Sequence, residues 1–208
     1  DNMNTKEKII YEALGLFSRK GFDSVYMNEI AEAVGIKTPS LYKHYKSKQA
    51  IFDACCDTFY EKIRAKSSII GLPDNNEIQT YYSKVTLVEM INNTIQLFEY
   101  HLLDYFVSNF RKLLMIERYN SPELDIQFKE IYIESVITQE EEIFKMMITN
   151  NVIPKNDSHV LAVKFYSPLF FLLQKYDLDH EKIDEAKKEI ELMVTDFYYA
   201  YMEMRNEK

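Results

Sequence analysis

The chain has 208 residues, of which 47% are hydrophobic and 28% charged, with a formal net charge of −8. Four glycines and five prolines are too few for a β-protein built on tight turns or for a glycine-rich nucleotide fold. If the acidic charge were evenly spread, it would also argue against a nucleic-acid partner, because phosphate binding needs Lys and Arg.

Helical periodicity begins at the N-terminus and predicts three helices in the first 45 residues. The first has apolar residues at helical spacing, namely Ile10, Ala13, Leu14 and Phe17. A second apolar stripe covers residues 27–34 and closes at Gly35, which suits a helix end. A third helix is predicted from Thr38 and Pro39 to about Tyr45, with the Thr38 hydroxyl as its cap and Pro39 at the first helical position.

Longer helices follow in the rest of the chain. Ser47 is predicted to cap a fourth helix, and Thr86 and Glu89 form a capping-box pattern at the start of another. Further helices are predicted over residues 105–119, 121–150, 157–176 and 183–205. No segment shows strand alternation. The pattern predicts an all-α fold of about nine helices, with an N-terminal domain of three short helices at 1–48 and a larger helical domain at 49–208.

Charge is distributed unevenly along the chain. Residues 1–66 hold 11 basic and 9 acidic residues, whereas the remainder holds 14 basic and 24 acidic. The stretch from Lys37 to Lys48 contains four lysines and His44 but no acid. The acidic balance therefore belongs to the C-terminal body, and it does not exclude DNA binding by the N-terminal region.

Two short helices joined by the turn at residues 35–37 describe a helix-turn-helix, whose second helix can enter a major groove. Leu41 and Tyr45 lie on the inward face of that helix. The outward side carries Pro39, Ser40, Lys43 and His44. Lys46 and Lys48 follow where the chain returns to the DNA backbone, and Lys48 lies at a helix N-terminus, which attracts phosphate. A solvated basic loop is the alternative, and the combination of features favours DNA binding.

Three stretches of this region form a signature: Gly21-Phe22, IAEAVGI at 30–36 and LYKHYKSK at 41–48. Together they resemble the N-terminal signature of TetR-type (tetracycline-repressor-like) transcriptional regulators. The signature covers about residues 5–60, and the rest of the chain matches only in helix count and layout. The resemblance implies a homodimeric repressor that binds a palindromic operator in double-stranded DNA and is released by a small-molecule effector.

Carried over position by position, the resemblance implies that base edges or the adjacent backbone are approached by Thr38, Pro39, Ser40, Lys43 and His44. It implies that Tyr42 and Lys48 hold phosphates. The family usually has Ser or Thr at the position of Tyr26, as a helix cap and phosphate contact. The Tyr26 hydroxyl can donate to phosphate, but it cannot cap the helix in the same way. Lys37 replaces a small polar residue and can add a phosphate contact.

A predicted helix over 160–173 is apolar nearly all round, so it must be covered on both sides. A central core helix would satisfy this, and so would a helix between its own domain and a second subunit. Because a two-fold dimer of helix-turn-helix domains reads half-sites about 34–36 Å apart, we predict a four-helix dimer interface from 157–176 and 183–205. Its predicted contact residues are Val160, Val163, Phe170, Phe171, Val194, Phe197, Tyr198 and Tyr201.

The middle helices are rich in aromatic and Met residues, most of which are expected to form the core. A ligand pocket is usually apolar with a few polar groups, and His101 and Tyr132 are the candidates here, although a lone helical His is more often structural. The predicted lining residues are Phe98, His101, Phe110, Leu114, Phe128, Tyr132, Phe165 and Leu169. The acidic body favours an apolar effector that is neutral or cationic.

Other classes of protein fit the sequence poorly. No Glu-x-x-His pair, P-loop, nucleophile elbow or metal-ligand spacing of histidines is present, so no catalytic residue, metal or cofactor is predicted. The adjacent Cys55 and Cys56 cannot form an ordinary disulfide. Without an 18-residue apolar run or a signal-peptide layout, we expect a cytoplasmic protein with no membrane segment. The remaining alternative is a helical adaptor whose N-terminal domain binds protein and not DNA.

Overall fold

The computed structural model describes residues 3–204, and every regular element within this range is helical. Eleven α-helices are present there: α1 Thr5–Lys20, α2 Met27–Val34, α3 Thr38–His44, α4 Lys48–Ile69, α5 Ile78–Tyr82, α6 Leu87–Leu103, α7 Tyr105–Glu117, α8 Pro122–Lys129, α9 Ser135–Thr149, α10 Ser158–Tyr176 and α11 Ile183–Phe197. The predicted all-α fold class is confirmed. The end predicted for the last helix, residue 205, lies outside the described residues.

Two differences from the predicted helix pattern have physical causes. The short helix α5 has five residues, which is too few to show a periodic apolar stripe. The helix predicted over 121–150 is divided into α8 and α9 by a π-helical turn at Glu130–Glu134. A π turn adds a residue inside a helix and needs no cap or breaker residue, so the sequence carries no sign of it. A second π turn, Tyr198–Met202, follows α11.

Predicted helix starts after α3 are confirmed by their cap hydrogen bonds. The Ser47 hydroxyl accepts from the Ala50 N–H at 3.1 Å, and the Asp157 carboxylate accepts from the Val160 N–H at 2.9 Å. Thr86 and Glu89 (the N3 residue of α6) bond reciprocally, because each side chain accepts from the backbone N–H of the other, at 3.2 and 2.7 Å. These caps satisfy N–H groups that a helix start leaves without a partner.

The chain divides into two compact units, which we describe separately. The first contains the chain up to Ala65 together with Asp104–Phe128. Within it, α1 packs against α2 and α7, and α2 packs against α3. A Cβ atom at Gly15 of α1 would lie 2.8 Å from the hydroxyl of Tyr105, so α1 approaches α7 closely here and a larger residue would displace the exposed Tyr105 side chain.

The second unit contains Lys66–Leu103 and the chain from Lys129 onward. Here α6 and α10 pack against α11, and α9 packs against α10 and α5. Its core consists of two apolar clusters, one built around α6, α10 and α11 and the other around α9, α10 and the end of α11. The domain boundary expected at residue 48 stays a prediction, since α4 continues without interruption from Lys48 to Ile69. No helix in 3–204 has the length and apolar character that crossing a membrane would require.

Candidate nucleic-acid interface

The turn between α2 and α3 is fixed by Gly35. Its φ of 81° and ψ of 31° are left-handed, a conformation that side chains other than glycine rarely adopt. The Gly35 N–H donates to the carbonyls of Ala31 and Glu32, both at 3.0 Å, and the Ile36 N–H also donates to Ala31 at 3.0 Å. These bonds end α2 and direct the chain into α3 after two residues, which confirms the predicted glycine turn.

The predicted Thr38 cap of α3 is wrong. The helix begins at Thr38 itself, its N-cap is Lys37, and no side chain makes a cap hydrogen bond. The Lys37 carbonyl instead accepts from the N–H groups of Ser40 and Leu41, at 2.8 and 3.2 Å. Thr38 and Pro39 therefore form the first turn, and the Thr38 hydroxyl is not used for capping.

Helix α3 has one buried face and one solvent face. Leu41 is fully buried, and Tyr45, just after the helix, is 7% exposed. Every residue predicted to approach bases lies on the other side: Pro39, Lys43 and His44 are exposed, and Thr38 and Ser40 are partly exposed. Lys37 and Lys46 are exposed at its two ends. The structure thus presents the polar side of α3, including Lys43 and His44, to solvent.

A shallow hollow of about 360 Å³ lies beside α3. Four predicted DNA-binding residues meet there, namely Tyr26, Thr38, Tyr42 and Lys48, and Val25, Met27 and Asn28 complete the lining. Met27 and Asn28 are the first two residues of α2, so the helix N-terminus, which attracts anions, opens into the hollow. Sequence reasoning missed Asn28; its exposed position in the first turn of α2 was the available signal.

Tyr26 is the N-cap residue of α2 but makes no side-chain cap bond, as predicted for this departure from the family pattern. The start of α2 instead keeps the other half of a capping box, because the Glu29 carboxylate accepts from the Tyr26 N–H at 2.9 Å. Lys20 pairs with Glu29, and the hydrogen bond from Lys20 lowers the pKa of the Glu29 carboxyl. The Tyr26 side chain is 65% exposed, so its hydroxyl is available to a phosphate.

The Lys48 ammonium makes hydrogen bonds to backbone carbonyls of the first unit. Its ammonium donates to the carbonyls of Phe22 at 2.6 Å and Val25 at 3.0 Å and lies 4.4 Å from the centre of the Phe22 ring. These contacts hold the α1–α2 loop that precedes Tyr26. An ammonium has three protons, so one remains for a DNA phosphate. The sequence identified the cation but not its two carbonyl partners, which lie 26 and 23 residues earlier.

The predicted pocket residues are divided between the two units. Phe110, Leu114 and Phe128 are buried in the first unit. In the second unit, Phe98, Phe165 and Leu169 belong to one apolar cluster. His101 is partly buried and Tyr132 is 3% exposed. The Tyr132 carbonyl accepts from the Tyr166 hydroxyl at 2.5 Å. Phe98, Phe165 and Leu169 are thus brought together within the second unit, and the pocket as a whole stays a prediction.

The predicted dimer residues fall into two groups. Val160, Val163 and Phe171 are exposed on α10, and Phe170, Tyr198 and Tyr201 are partly buried. Val194 and Phe197 are buried within their own unit, at 1% and 5% exposure, so they have almost no surface to offer a second subunit. They continue the buried stripe of Ala186 and Ile190. The exposed apolar residues of α11 are Leu192 and Met193, followed by Tyr199 in the π turn.

Residues 9–55, which include the helix-turn-helix, match the family model of bacterial regulatory proteins, tetR family. Residues 9–55 therefore have the N-terminal sequence of the TetR family. One relative is the biofilm operon icaADBC HTH-type negative transcriptional regulator IcaR of Staphylococcus aureus strain Newman, 43% identical over 61 residues. The match covers 28% of this chain and 33% of IcaR. The family model thus matches the part of the chain that contains the helix-turn-helix, and the chain spans about a third of the length of IcaR.

Solved structures share the TetR-family fold over nearly the whole chain. MexZ, a repressor from Pseudomonas aeruginosa, superposes with a TM-score of 0.75 at 17% identity and covers 97% of this chain and 96% of its own. SmeT of Stenotrophomonas maltophilia, in its complex with triclosan, gives a TM-score of 0.71 at 14% identity, covering 97% and 93%. At such identities the likeness concerns the fold alone. Within residues 3–204, no group of three or more potential ligand side chains is arranged to hold a metal ion.

Proposed function

We propose that this chain is a sequence-specific DNA-binding transcriptional repressor that acts as a homodimer and leaves a palindromic operator when a small-molecule effector binds. The observation that carries the proposal is the solvent face of α3. It presents Lys43 and His44 within an acid-free stretch, beside a hollow lined by Tyr26, Tyr42 and Lys48. A basic helix face flanked by phosphate-binding groups is the arrangement that major-groove recognition needs.

Base recognition belongs to the exposed side chains of α3. Lys43 can donate to the O6 and N7 acceptors of guanine, and the Ser40 hydroxyl can donate or accept at either base pair type. His44 adds a donor at the end of the same face. The hydroxyls of Tyr26 and Tyr42 and the free proton of Lys48 bind phosphates on either side of the groove. These phosphate contacts fix the register of the helix, and the α3 side chains supply the sequence preference.

The dimer interface is proposed on the exposed apolar side of α10 and α11. Val160, Val163 and Phe171 lie at spacings that place them along one side of α10, and Leu192 and Tyr199 are 64% and 54% exposed. An exposed apolar stripe of this kind marks a protein interface. A two-fold pairing presents two copies of α3 to half-sites about 34–36 Å apart, or multiples of that distance.

Release by an effector requires that the effector bind the arrangement that does not fit DNA more tightly than the one that does. The solved complex of SmeT with triclosan is a related fold holding a small molecule, and it supports an effector site in this chain. The three pocket residues clustered in the second unit, Phe98, Phe165 and Leu169, are candidates for its apolar wall.

The test is a titration of the purified protein with its own upstream DNA, followed by fluorescence anisotropy at graded salt concentrations. We expect affinity to fall linearly on a log–log plot, because each neutralised phosphate releases counterions. A duplex of the same length and scrambled sequence should bind more weakly. If affinity for both duplexes is absent or insensitive to salt, the proposal is wrong, and a helical adaptor that binds protein becomes the better interpretation.

A further inference from the structure

An acidic side chain lies at the start of α2, beside the hollow that is proposed to bind a DNA phosphate. The Glu29 carboxylate accepts from the Tyr26 N–H at 2.9 Å through one oxygen and from the Lys20 ammonium through the other. Tyr26 lines the hollow, whose described lining residues include Lys48 but no acid. A carboxylate so close to a phosphate-binding surface opposes binding unless its charge is compensated, so its presence there needs an explanation.

The start of α2 also has backbone donors that are open to an anion. Within residues 3–204, the N–H groups of Met27 and Asn28 bond to no acceptor, and both residues line the hollow. The first N–H groups of a helix have no partner inside the helix, and the helix dipole adds a partial positive charge at this end. A DNA phosphate can bind these donors, and so can a carboxylate on the same turn.

Glu29 is the carboxylate in a position to compete with the phosphate. It is the third residue of α2, directly after Asn28, and its side chain is 28% exposed. A glutamate at this position folds back onto the first turn of its helix, as the bond to the Tyr26 N–H already shows. If the same carboxylate moved to the N–H groups of Met27 and Asn28, it would exclude a phosphate from them.

Lys20 restrains this carboxylate. Its ammonium engages Oε1 of Glu29, while the Tyr26 N–H engages Oε2, so both oxygens are held and the negative charge is compensated. The side chains of Lys20 and Glu29 are 48% and 28% exposed, and an ion pair this exposed adds little to the stability of a fold. The effect of the pair is therefore expected in the binding of an anion and not in folding.

We propose that Lys20 is a positioning residue for DNA binding, which holds and neutralises a carboxylate that would otherwise compete with a DNA phosphate at the start of α2. The inference rests on the proposed function, because the anion that Glu29 would exclude is a phosphate of the operator. A direct contact between Lys20 and DNA is the alternative. The two differ in one respect, because only the positioning role depends on the presence of Glu29.

The test is a double-mutant cycle, measured by fluorescence anisotropy with the upstream DNA of the protein at one salt concentration. Lys20→Gln alone should weaken binding about tenfold, since it leaves one uncompensated charge beside the phosphate. In a protein that already carries Glu29→Gln, the same change should alter the affinity less than about twofold. Glu29→Gln keeps a side-chain oxygen that can accept from the Tyr26 N–H, so the start of α2 is retained.

Two control variants separate the positioning role from a loss of charge or of structure. Arg19→Gln removes the same charge from the adjacent residue, whose Nη1 lies 3.3 Å from the place of a Cβ on Gly15, so its side chain points back along α1. This variant should bind DNA within about twofold of the wild type. Lys20→Arg keeps the pairing with Glu29 and should bind as the wild type does. The thermal midpoints of all these proteins should agree closely, because the pair is exposed.

The inference is overturned if Lys20→Gln weakens binding by the same factor with and without Glu29, since Lys20 would then contact DNA directly. It is also overturned if Lys20→Gln binds as tightly as the wild type, or if its loss of affinity comes with a lower thermal midpoint. A wild-type protein that binds its upstream DNA but gives any of these results refutes the inference alone. A wild-type protein that binds no DNA refutes the proposed function and the inference with it.

Discussion

The Lys48 ammonium donates to the Phe22 carbonyl at 2.6 Å and lies over the ring of the same residue. Phe22 also packs against Phe17 and Phe52, with ring centres 5.2 and 5.7 Å away. One cation thus links the start of α4 to the loop that carries Tyr26 into the hollow beside α3. This relationship gives Lys48 a structural role in addition to the proposed phosphate contact.

Lys48→Met should lower both the stability of the protein and its affinity for every DNA sequence alike. The variant loses two hydrogen bonds from a charged donor, each worth about 1.5–3 kcal/mol when partly buried, and one phosphate contact. Lys46→Met is the matched control, since Lys46 is exposed and adjacent to the same surface. It should reduce the salt slope by about one and leave the denaturation midpoint unchanged. Equal midpoints for the two variants would show that the Lys48 contacts do not stabilise the loop.

Lys43→Ala should weaken specific binding and also relax the base preference. Loss of a base contact costs about 1–3 kcal/mol, and affinity for a scrambled duplex should change less. Anisotropy titrations with operators substituted one base pair at a time measure the effect. The assignment of Lys43 to base recognition fails if all duplexes, including the scrambled one, lose affinity by the same factor.

Tyr26→Phe should weaken DNA binding about tenfold or more, because a hydrogen bond to a charged acceptor is worth about 1.5–3 kcal/mol, without affecting thermal stability. Glu29→Ala should lower thermal stability more than DNA affinity, because the Glu29 carboxylate, and not the Tyr26 side chain, bonds an N–H group at the start of α2. Melting curves and DNA titrations of the two variants separate these roles. A lower melting temperature for Tyr26→Phe would contradict the division between them.

Phe171→Glu should convert the dimer to a monomer. Phe171 is 63% exposed, the highest value among the proposed interface residues of α10, and a charge in an apolar interface is not paired there. Ile126→Glu is the control, since Ile126 is 68% exposed on α8, away from α10 and α11 in the sequence. Sedimentation analysis should find a monomer for Phe171→Glu and a dimer for Ile126→Glu; a dimer for both would place the interface elsewhere.

The stability of the wild-type protein should fall as pH rises from about 4.5 to 7, relative to Glu140→Gln. A glutamate carboxyl ordinarily has a pKa of 4.5, and burial raises that of Glu140 to about 7 in the folded protein. The folded state therefore binds this proton more tightly, and the resulting stabilisation is complete below the unfolded pKa and lost above the folded one. Its size is up to about 3 kcal/mol. Burial raises the pKa of Tyr82 far above this range, and every titratable group other than Glu140 is common to both proteins. Parallel stability curves would show that Glu140 does not titrate in this way.

Much of the fold followed from local patterns. Short-range hydrogen bonds define the end of α2 at Gly35 and the starts of α4, α6 and α10 at Ser47, Thr86 and Asp157. The neighbouring sequence is therefore sufficient to predict these helix boundaries. The outward face of α3 was equally predictable, since Leu41 and Tyr45 fix which side is buried. Both kinds of feature depend on residues within one or two helical turns of each other.

Features that leave no local signal in the sequence were not predictable. The partners of Lys48 lie more than twenty residues away along the chain, and the π turn at Glu130–Glu134 leaves no mark on composition. Val194 and Phe197 show a different limit, because an apolar residue suits a core and a dimer interface equally well. The exposed fraction of each side chain in the folded chain is what distinguishes a core residue from a candidate interface residue.

The capping of α2 by Glu29 has a consequence for how operator affinity can change. A Ser or Thr at position 26 would have two roles, because its hydroxyl would both cap the helix and contact DNA. Here the Glu29 carboxylate holds the start of α2 and Gly35 forms its end. The side chain at position 26 therefore has no part in capping the helix. Affinity for DNA can then be tuned by substitution at this single position, in small steps and in either direction, while the recognition domain keeps its shape.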